Sequence, residues 1–318
     1  MGEFLYLLAL LGGVLLLFAG GEMLVRGAVS AARWFRVSPL LTGLLVVGFG
    51  TSTPELVVSV DAALSGNPDI AVGNVVGSNI GNSLLILGIC ALITPLAVSP
   101  MALKRDGVLG LGASVLFVLL VGGSALGRFD ASILLTAFTL YLLLAWWTER
   151  QGRKGHDEPA VSSPEMLESG SSTLFKVVAG LLLLIVGSRV LLHGATGIAT
   201  SLGVSEAAIG LTLVAVGTSL PELTISVVAA WRRQMDVAVG NILGSNLFNL
   251  LGILGVSALL QPLPIHERIL AFDQWVLVAS SLLLLFFLYT GRRISRLEGL
   301  LLLLCYTAYI GVGVSGFA

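Results

Sequence analysis

Residues 50–88 read GTSTPELVVSVDAALSGNPDIAVGNVVGSNIGNSLLILG, and the chain contains this segment twice. The repeat determines the architecture. The segment returns as GTSLPELTISVVAAWRRQMDVAVGNILGSNLFNLLGILG at residues 217–255, aligned without a gap at an offset of 167 residues. Each copy places a glutamate, Glu55 or Glu222, inside a stretch apolar enough to cross a bilayer. An acid at that depth costs roughly 2.5–3.5 kcal/mol, and a bound cation is the simplest compensation.

The composition indicates a polytopic membrane protein, because 56% of the residues are hydrophobic and only 11% are charged. A net charge of -1 provides no basic surface for nucleic acid. Cys90 and Cys305 lie in apolar runs outside any CxxC motif, so we expect buried free thiols. The three histidines match no zinc spacing. We therefore expect no cofactor and no covalent chemistry.

Hydropathy predicts an all-α membrane protein with ten transmembrane helices, since a span needs about 20 apolar residues. Glu3 stands where a signal peptide would carry a basic residue, so the first span is expected to be retained. A polar linker, residues 149–173, separates a first repeat at 1–148 from a second at 174–318. The ten predicted spans are residues 4–25, 39–65, 70–95, 104–124, 130–148, 174–196, 205–231, 237–261, 269–290 and 298–316.

The basic residues predict the orientation of these spans, because Lys and Arg accumulate on the cytoplasmic side. Clusters follow spans 1, 3, 5, 7 and 9, which all end on the same side: Arg26, Arg33 and Arg36; Lys104 and Arg105; Arg150, Arg153 and Lys154; Arg232 and Arg233; Arg292, Arg293 and Arg296. We therefore expect a protein of the cell (inner) membrane with a cytoplasmic linker and both termini outside. Two five-helix repeats in series must then have inverted topologies, with a substrate site between them near the midplane.

The residue pattern within each copy predicts a cation site. Thr51, Ser52, Glu55 and Ser59 fall on one helical face, and Pro54 removes a helical hydrogen bond and frees a backbone carbonyl. The next span adds oxygen-bearing side chains and glycines at four-residue spacing: Asn74, Ser78 and Asn82, with Gly73, Gly77 and Gly81. These oxygens are the hard ligands that Na⁺ and Ca²⁺ prefer.

Charge counting favours an antiporter. Two glutamates neutralise one divalent or two monovalent cations, and an empty site would leave two buried charges uncompensated. An unloaded carrier should therefore resist crossing, whereas a channel would tolerate an empty site.

The paired GTSxPE and GNxxGSNxxN segments resemble the α-repeats of the sodium/calcium exchanger family, as found in prokaryotic calcium/cation antiporters. The likeness covers the whole chain, with the repeat motifs at residues 48–88 and 215–255. It implies an antiporter in which Ca²⁺ and Na⁺ compete for overlapping sites while spans 1 and 6 slide against the rest.

The same resemblance implies roles for individual residues. Glu55 and Glu222 correspond to shared acidic ligands, and Thr51 and Thr218 to ligands of the calcium site. The other implied ligands are the sodium-site hydroxyls, the sodium-site carbonyls and the central amides: Ser52, Ser219, Ser78 and Ser245; Gly48 and Ala215; Asn82 and Asn249.

One departure bears on the coupling ion. Some prokaryotic members carry Asp at the second central position, where this chain has Asn249. The missing acid argues against proton coupling, although H⁺/Ca²⁺ exchange and K⁺-dependent Na⁺/Ca²⁺ exchange remain alternatives on the same fold. A passive cation channel is a further alternative from another class.

Other charged residues have structural interpretations. We expect Glu22 and Arg26, four residues apart, to form a helix-surface pair. Asp106 and Asp273 match across the repeat and are expected to cap or complement helix starts. Asp61 has no counterpart and is expected at the membrane interface or on an ion access route.

Overall fold

The computed structural model describes residues 2–154, 169–202 and 215–315, which form long helices joined by short loops. In the first half the helices are α1 Gly2–Phe35, α2 Pro39–Thr51, α3 Thr53–Leu64, α4 Pro68–Ile93, α5 Val108–Val121, which directly follows the π-helical segment Ala102–Gly107, and α6 Arg128–Lys154. In the second half they are α7 Gly170–Ser201, α8 Ala215–Thr218, α9 Leu220–Trp231, α10 Met235–Leu260, α11 Ile269–Gly291 and α12 Arg296–Ser315. Each helix of the first half has a counterpart six numbers later.

Helices α1 and α7 pack against each other in opposite directions along most of their length. Glycines make this close approach possible: a Cβ added to Gly20 would lie 2.9 Å from the carbonyl oxygen of Gly180. The outer face of α1 exposes large apolar side chains such as Phe4, Leu11 and Leu15. Such a face fits contact with lipid tails.

Helices α4 and α10 form the centre of the protein. In their most apolar windows, 67% and 78% of the residues are buried, compared with 22% in α1, α6 and α7. Both central helices contain a π-helical segment, at Asn82–Ile86 in α4 and Phe248–Ile253 in α10. The two segments contain Asn82 and Asn249, and π-helical turns occur frequently at functional sites.

Four two-residue strands join the two halves. Strand β1 (Leu96–Ala97) pairs with β4 (Arg293–Ile294), and β2 (Ala125–Leu126) pairs with β3 (Leu263–Pro264), both antiparallel. Between α5 and α11 the hydroxyls of Ser114 and Ser281 lie 2.8 Å apart, and these residues are 167 positions apart in the chain. Each therefore contacts its own counterpart, as residues on a two-fold axis do.

Among the described residues, seven helices are long and apolar enough to span a membrane, or eight if the bent pair α2–α3 counts as one span. The chain is therefore a multi-pass membrane protein. Two predicted spans are not in this count. One corresponds to α5, and the π-helical segment before it contains the charged residues Lys104, Arg105 and Asp106. The other corresponds to α8–α9, which follows residues outside the described part. The count of ten stays a prediction.

Several local predictions differ from the structure. Helix α1 continues to Phe35, ten residues beyond the predicted span, because the first helix-breaking residue is Pro39. The predicted linker begins and ends in helix, since α6 reaches Lys154 and α7 starts at Gly170. Cys90 is buried as expected, but Cys305 is exposed, so the expectation of a buried thiol is wrong there.

The expectation that Asp106 and Asp273 cap helix starts is also wrong, because neither side chain makes a capping hydrogen bond to a described residue, whereas complementing the helix dipole stays a prediction. Asp106 is buried and accepts hydrogen bonds from Arg105 (2.7 Å) and Tyr141 (3.2 Å). Asp273 accepts from Tyr309 (3.1 Å) and pairs with Arg268, which directly precedes α11, at 3.2 Å. Both acids are therefore partners in tertiary networks, which stabilise a buried charge through hydrogen bonds.

The predicted pair of Glu22 and Arg26 is confirmed, with 2.6 Å between the charged atoms. Glu22 also pairs with Arg232, which follows α9, at 2.7 Å. Asp61 lies exposed in the last turn of α3.

Candidate functional site

The site forms where two broken helices meet. Helix α2 ends at Thr51 and α3 begins at Thr53 with a bend of 43°, as Pro54 predicts. Pro221 stands at the same place in α9. Glu55 and Glu222 occupy the first turns of α3 and α9, each only 1% exposed. Helix N-termini carry partial positive charge, which favours an acid at this position.

Each glutamate is bound by a serine of the other copy. Ser52 donates to Oε1 of Glu222 at 2.8 Å, and Ser219 donates to Oε1 of Glu55 at 3.2 Å. The second carboxylate oxygen of each glutamate is buried and has no hydrogen-bond partner among the described residues. The two copies therefore interleave at one centre, and each acid retains an oxygen able to bind a cation.

The threonines also reach across to the other copy. Thr51 donates to Oδ1 of Asn241 at 3.1 Å, and Thr218 donates to Oδ1 of Asn74 at 3.5 Å. The sequence pattern predicts that both asparagines bond exposed backbone, and each indeed donates to the backbone carbonyl of the glutamate in its own copy. Their recurrence at the same place in each copy was the available signal.

The carbonyl of Gly48, an expected sodium ligand, lies at the centre of the first copy. It accepts hydrogen bonds from Ser245 at 3.1 Å and from Thr51 at 3.3 Å. Ala215 begins the described part of α8. Ser78, the counterpart of Ser245, accepts from Ser219 at 3.4 Å.

The central amides lie in the π-helical segments of α4 and α10. Asn82 donates to Asn246 at 3.0 Å, and Asn246 donates to Ser83 at 2.9 Å. Oδ1 of Asn82 and both polar atoms of the Asn249 amide are buried without a hydrogen-bond partner among the described residues. Such atoms are costly unless something binds them. The sequence indicates Asn82 and Asn249 as candidate ligands and Asn246 only as a member of the repeated polar pattern, and it contains no signal for Ser83 or for the π-helical turns.

The chemistry of this centre suits a hard cation. Among the described residues, no three His, Cys, Asp or Glu side chains are grouped to hold a metal. A cation would therefore be held by two carboxylates and by neutral hydroxyl, amide and carbonyl oxygens. Oxygen donors of this kind suit Na⁺ and Ca²⁺ and disfavour metals that prefer sulfur or nitrogen.

The site is closed on one side and more open on the other. We name two groups of residues, each drawn from both copies: the closed half-site is Thr51, Ser52, Asn241 and Ser245, and the open half-site is Thr218, Ser219, Asn74 and Ser78. Every side chain of the closed half-site is 0% exposed. In the open half-site only Ser78 is buried, and the other three are partly exposed. Water therefore has better access to one side of the centre.

Glycine packing explains the closed side. Helix α10 lies so close to α2 that a Cβ added to Gly240 would be 2.5 Å from the carbonyl oxygen of Leu40. A Cβ added to Gly48 would be 2.9 Å from the carbonyl oxygen of Asn241. Gly73 corresponds to Gly240 in the first copy, and the segment that corresponds to α2 there lies outside the described residues. The four-residue glycine spacing therefore does allow a close backbone approach in the second copy, at Gly240 and Gly244.

Comparisons with known proteins agree with this architecture. The family described as sodium/calcium exchanger protein matches residues 5–147 and 172–313. The chain is 39% identical over 306 residues to the putative antiporter CaxA of Alkalimonas amylolytica, covering 93% of this chain and 95% of that protein. It is 33% identical to the sodium/calcium exchanger MaX1 of Methanosarcina acetivorans, covering 96% and 97%.

A solved structure supports the fold in the same way. The sodium-calcium exchanger NCX_Mj, soaked with 2.5 mM Na⁺ and 0.1 mM Ca²⁺, superposes with a TM-score of 0.83 at 34% identity, over 96% of this chain and 98% of that one. The family match, the relatives and the fold thus agree with one another. The chain belongs to the sodium/calcium exchanger protein family, whose named members here are membrane cation antiporters.

Proposed function

We propose that this protein exchanges Ca²⁺ for Na⁺ across the membrane by alternating access. The observation that carries the proposal is the pair of buried glutamates, each bound by a serine of the other copy and each with one carboxylate oxygen unbonded among the described residues. One Ca²⁺ or two Na⁺ would balance the two charges. Two ions that neutralise the same acids compete for them, and competition at one site is the basis of exchange.

The ligands divide by chemistry. Glu55 and Glu222 serve both ions, and Thr51 and Thr218 complete the calcium site. The sodium sites use the hydroxyls and carbonyls around the acids, with amides at the centre: Ser52, Ser219, Ser78 and Ser245; Gly48 and Ala215; Asn82 and Asn249. The contacts of Gly48 with Thr51 and Ser245 support the part of this set that belongs to the closed half-site.

An obligatory exchange follows from burial. Without a cation the two carboxylates would be uncompensated in a region of low dielectric, and that cost is high. The carrier then crosses only when it is loaded. The cation-free protein would stay open to one side, which prevents a leak.

For the membrane arrangement we propose ten spans in two inverted repeats, residues 1–148 and 174–318, with the linker 149–173 in the cytoplasm and the termini outside. The exchange of strand partners between the halves and the contact of Ser114 with Ser281 support a two-fold relation. The pair α1–α7, peripheral and packed through glycines, is the part expected to slide during transport.

The decisive experiment measures Ca²⁺ uptake into proteoliposomes loaded with Na⁺. An outward Na⁺ gradient should drive uptake, and replacing internal Na⁺ with choline should abolish it. A pH gradient or added K⁺ should have no effect. Uptake driven by a pH gradient without Na⁺ would instead identify H⁺/Ca²⁺ exchange, and a requirement for K⁺ would identify K⁺-dependent exchange.

The proton alternative is disfavoured by the central amides. Asn82 and Asn249 occupy both central positions, so among the described residues the centre has two carboxylates and no third acid. A channel would differ in another respect, because it would pass Ca²⁺ without any counter-ion. Ca²⁺ flux that persists in choline-loaded vesicles would therefore overturn the antiport proposal.

A further inference from the structure

Asn241 is a buried amide that the proposed ligand set does not include. Its side chain is 0% exposed. Its Nδ2 donates to Oγ of Ser226 at 2.8 Å and to the backbone carbonyl of Glu222 at 3.3 Å. Its Oδ1 accepts from the hydroxyl of Thr51 at 3.1 Å. One side chain thus connects the backbone at the acid of its own copy to a threonine of the other copy.

These contacts fix which way the amide faces. The carbonyl of Glu222 can only accept a hydrogen bond, so the nitrogen of Asn241 must face it. A flipped amide would place two oxygens against each other and leave one buried without a donor, which is unfavourable. The oxygen of Asn241 must therefore face Thr51.

The orientation of the amide determines how Thr51 presents its hydroxyl. A threonine hydroxyl has one proton and two lone pairs. The described hydrogen-bond partners of Thr51 are Oδ1 of Asn241, the carbonyl of Gly48 and the carboxylate of Glu222, and all three are acceptors. The proton is thus committed to an acceptor, and the lone pairs remain available to a cation. With the amide flipped, its N–H would occupy one of those lone pairs.

The first copy repeats the arrangement. Nδ2 of Asn74 donates to Ser59 at 2.9 Å and to the carbonyl of Glu55 at 3.3 Å. Its Oδ1 accepts from Thr218 at 3.5 Å. The same bonding pattern in two copies on different sides of the centre indicates a shared role rather than an accident of packing.

We propose that Asn241 and Asn74 are positioning residues that orient the hydroxyls of Thr51 and Thr218, so that oxygen lone pairs face Ca²⁺. Neither asparagine touches the ion. The inference rests on the proposed function, because it assumes that the two threonines bind Ca²⁺. It adds that each copy controls the calcium ligand of the other copy.

The test is a double-mutant cycle on direct Ca²⁺ binding. Asn241→Ala, Thr51→Val and the double variant are purified in detergent without Na⁺, and the Kd for Ca²⁺ is measured by calorimetry. Each single substitution should raise the Kd about fivefold to tenfold, the range expected for one lost ligand or hydrogen bond. Because Asn241 acts through Thr51, the double variant should bind no more weakly than the weaker single variant.

Conservative and matched variants separate positioning from general damage. Thr51→Ser keeps the hydroxyl and should restore binding to within about twofold of the wild type. Asn79→Ala removes another buried amide, whose nitrogen donates to the carbonyl of Val75 at 2.7 Å, its one partner among the described residues, and should leave the Kd unchanged. If Asn241→Ala does not fold, the same cycle is run with Asn74→Ala and Thr218→Val.

Additive losses, or an unchanged Kd in Asn241→Ala, would overturn the positioning role. A wild-type protein that binds no Ca²⁺ would overturn it as well. The proposed function has a separate criterion in the uptake assay. A protein that binds Ca²⁺ with the expected cycle but shows no Na⁺-driven uptake would keep the positioning role and lose only the exchange assignment.

Discussion

The closed and open half-sites contain matching residues but differ in geometry. The serine-to-glutamate hydrogen bond is 2.8 Å in the closed half-site and 3.2 Å in the open one, and the threonine-to-asparagine bond is 3.1 Å compared with 3.5 Å. Asn241 is fully buried, whereas Asn74 is partly exposed. Matching residues of the two repeats therefore adopt tight and loose versions of one arrangement. A site open to one side at a time needs this kind of difference.

The largest effect is expected when the charge of one glutamate is removed at a time. Because both acids serve one centre, Glu55→Gln and Glu222→Gln should each reduce Na⁺-driven Ca²⁺ uptake at least about 100-fold, although they contact different half-sites. The measurement is radioactive Ca²⁺ uptake into proteoliposomes, with folding checked by gel filtration. Asp69→Asn, an exposed acid in the first turn of α4, is the control. Substantial uptake by either Gln variant would contradict the shared centre.

The tight packing of the closed half-site can be tested at Gly48. A Cβ there would lie 2.9 Å from the carbonyl oxygen of Asn241 and 3.0 Å from the nitrogen of Ser245. Gly48→Ala should destabilise the protein by about 1–3 kcal/mol, seen as a lower thermal unfolding midpoint in detergent. Gly112→Ala is the matched control, since that glycine is exposed and no described atom lies within 4 Å of its Cβ position. Equal midpoints for the two variants would show that the closed side is not tightly packed.

Differential access can be measured with cysteine labelling in a chain whose two native cysteines are replaced by alanine. Ser219→Cys should react with a water-soluble thiol reagent about tenfold faster than Ser52→Cys, because Ser219 is partly exposed and Ser52 is fully buried. Saturating Ca²⁺ should slow labelling at position 219. Equal rates, or a reversed order, would remove the structural distinction between the half-sites in solution.

The smallest effect is expected at the surface ion pairs of Glu22. This acid pairs with Arg26 at 2.6 Å and Arg232 at 2.7 Å, and the side chains of both arginines are more than half exposed. Glu22→Gln should change the free energy of unfolding by less than about 1 kcal/mol, measured by chemical denaturation. High salt should reproduce the change in the wild type. A larger loss of unfolding free energy would mean that a surface contact, and not buried packing, maintains the difference between the closed and open half-sites.

Much of this architecture could be predicted from the sequence because its causes are local. Apolar runs specify spans, Pro54 specifies the break before Glu55, and the 167-residue offset specifies which residues are equivalent. The resemblance to a known family then identified the candidate ligands. Among these, the structure brings Ser52 to Glu222, Ser219 to Glu55 and Ser245 to Gly48.

The remaining features depend on tertiary contacts that no local pattern contains. The π-helical turns at Asn82 and Phe248 add a residue per turn without any sequence marker of their own. The hydrogen bonds from Asn82 to Asn246 and from Asn246 to Ser83 have no exact counterpart, because the residue that corresponds to Ser83 in the second copy is Leu250. The asymmetry between the half-sites cannot be read from their residues either, because the same residue types form both half-sites and the difference arises from how the copies pack against each other.

The contact between Ser114 and Ser281 limits what could stand on the two-fold axis. A residue that meets its own counterpart must be complementary to itself. A hydroxyl satisfies this rule because it can both donate and accept a hydrogen bond, whereas two ammonium groups or two carboxylates would repel each other. Had the protein begun as a dimer of identical half-size chains, serine could have occupied this position from the start. Fusion into one gene would then have allowed every off-axis pair to diverge independently.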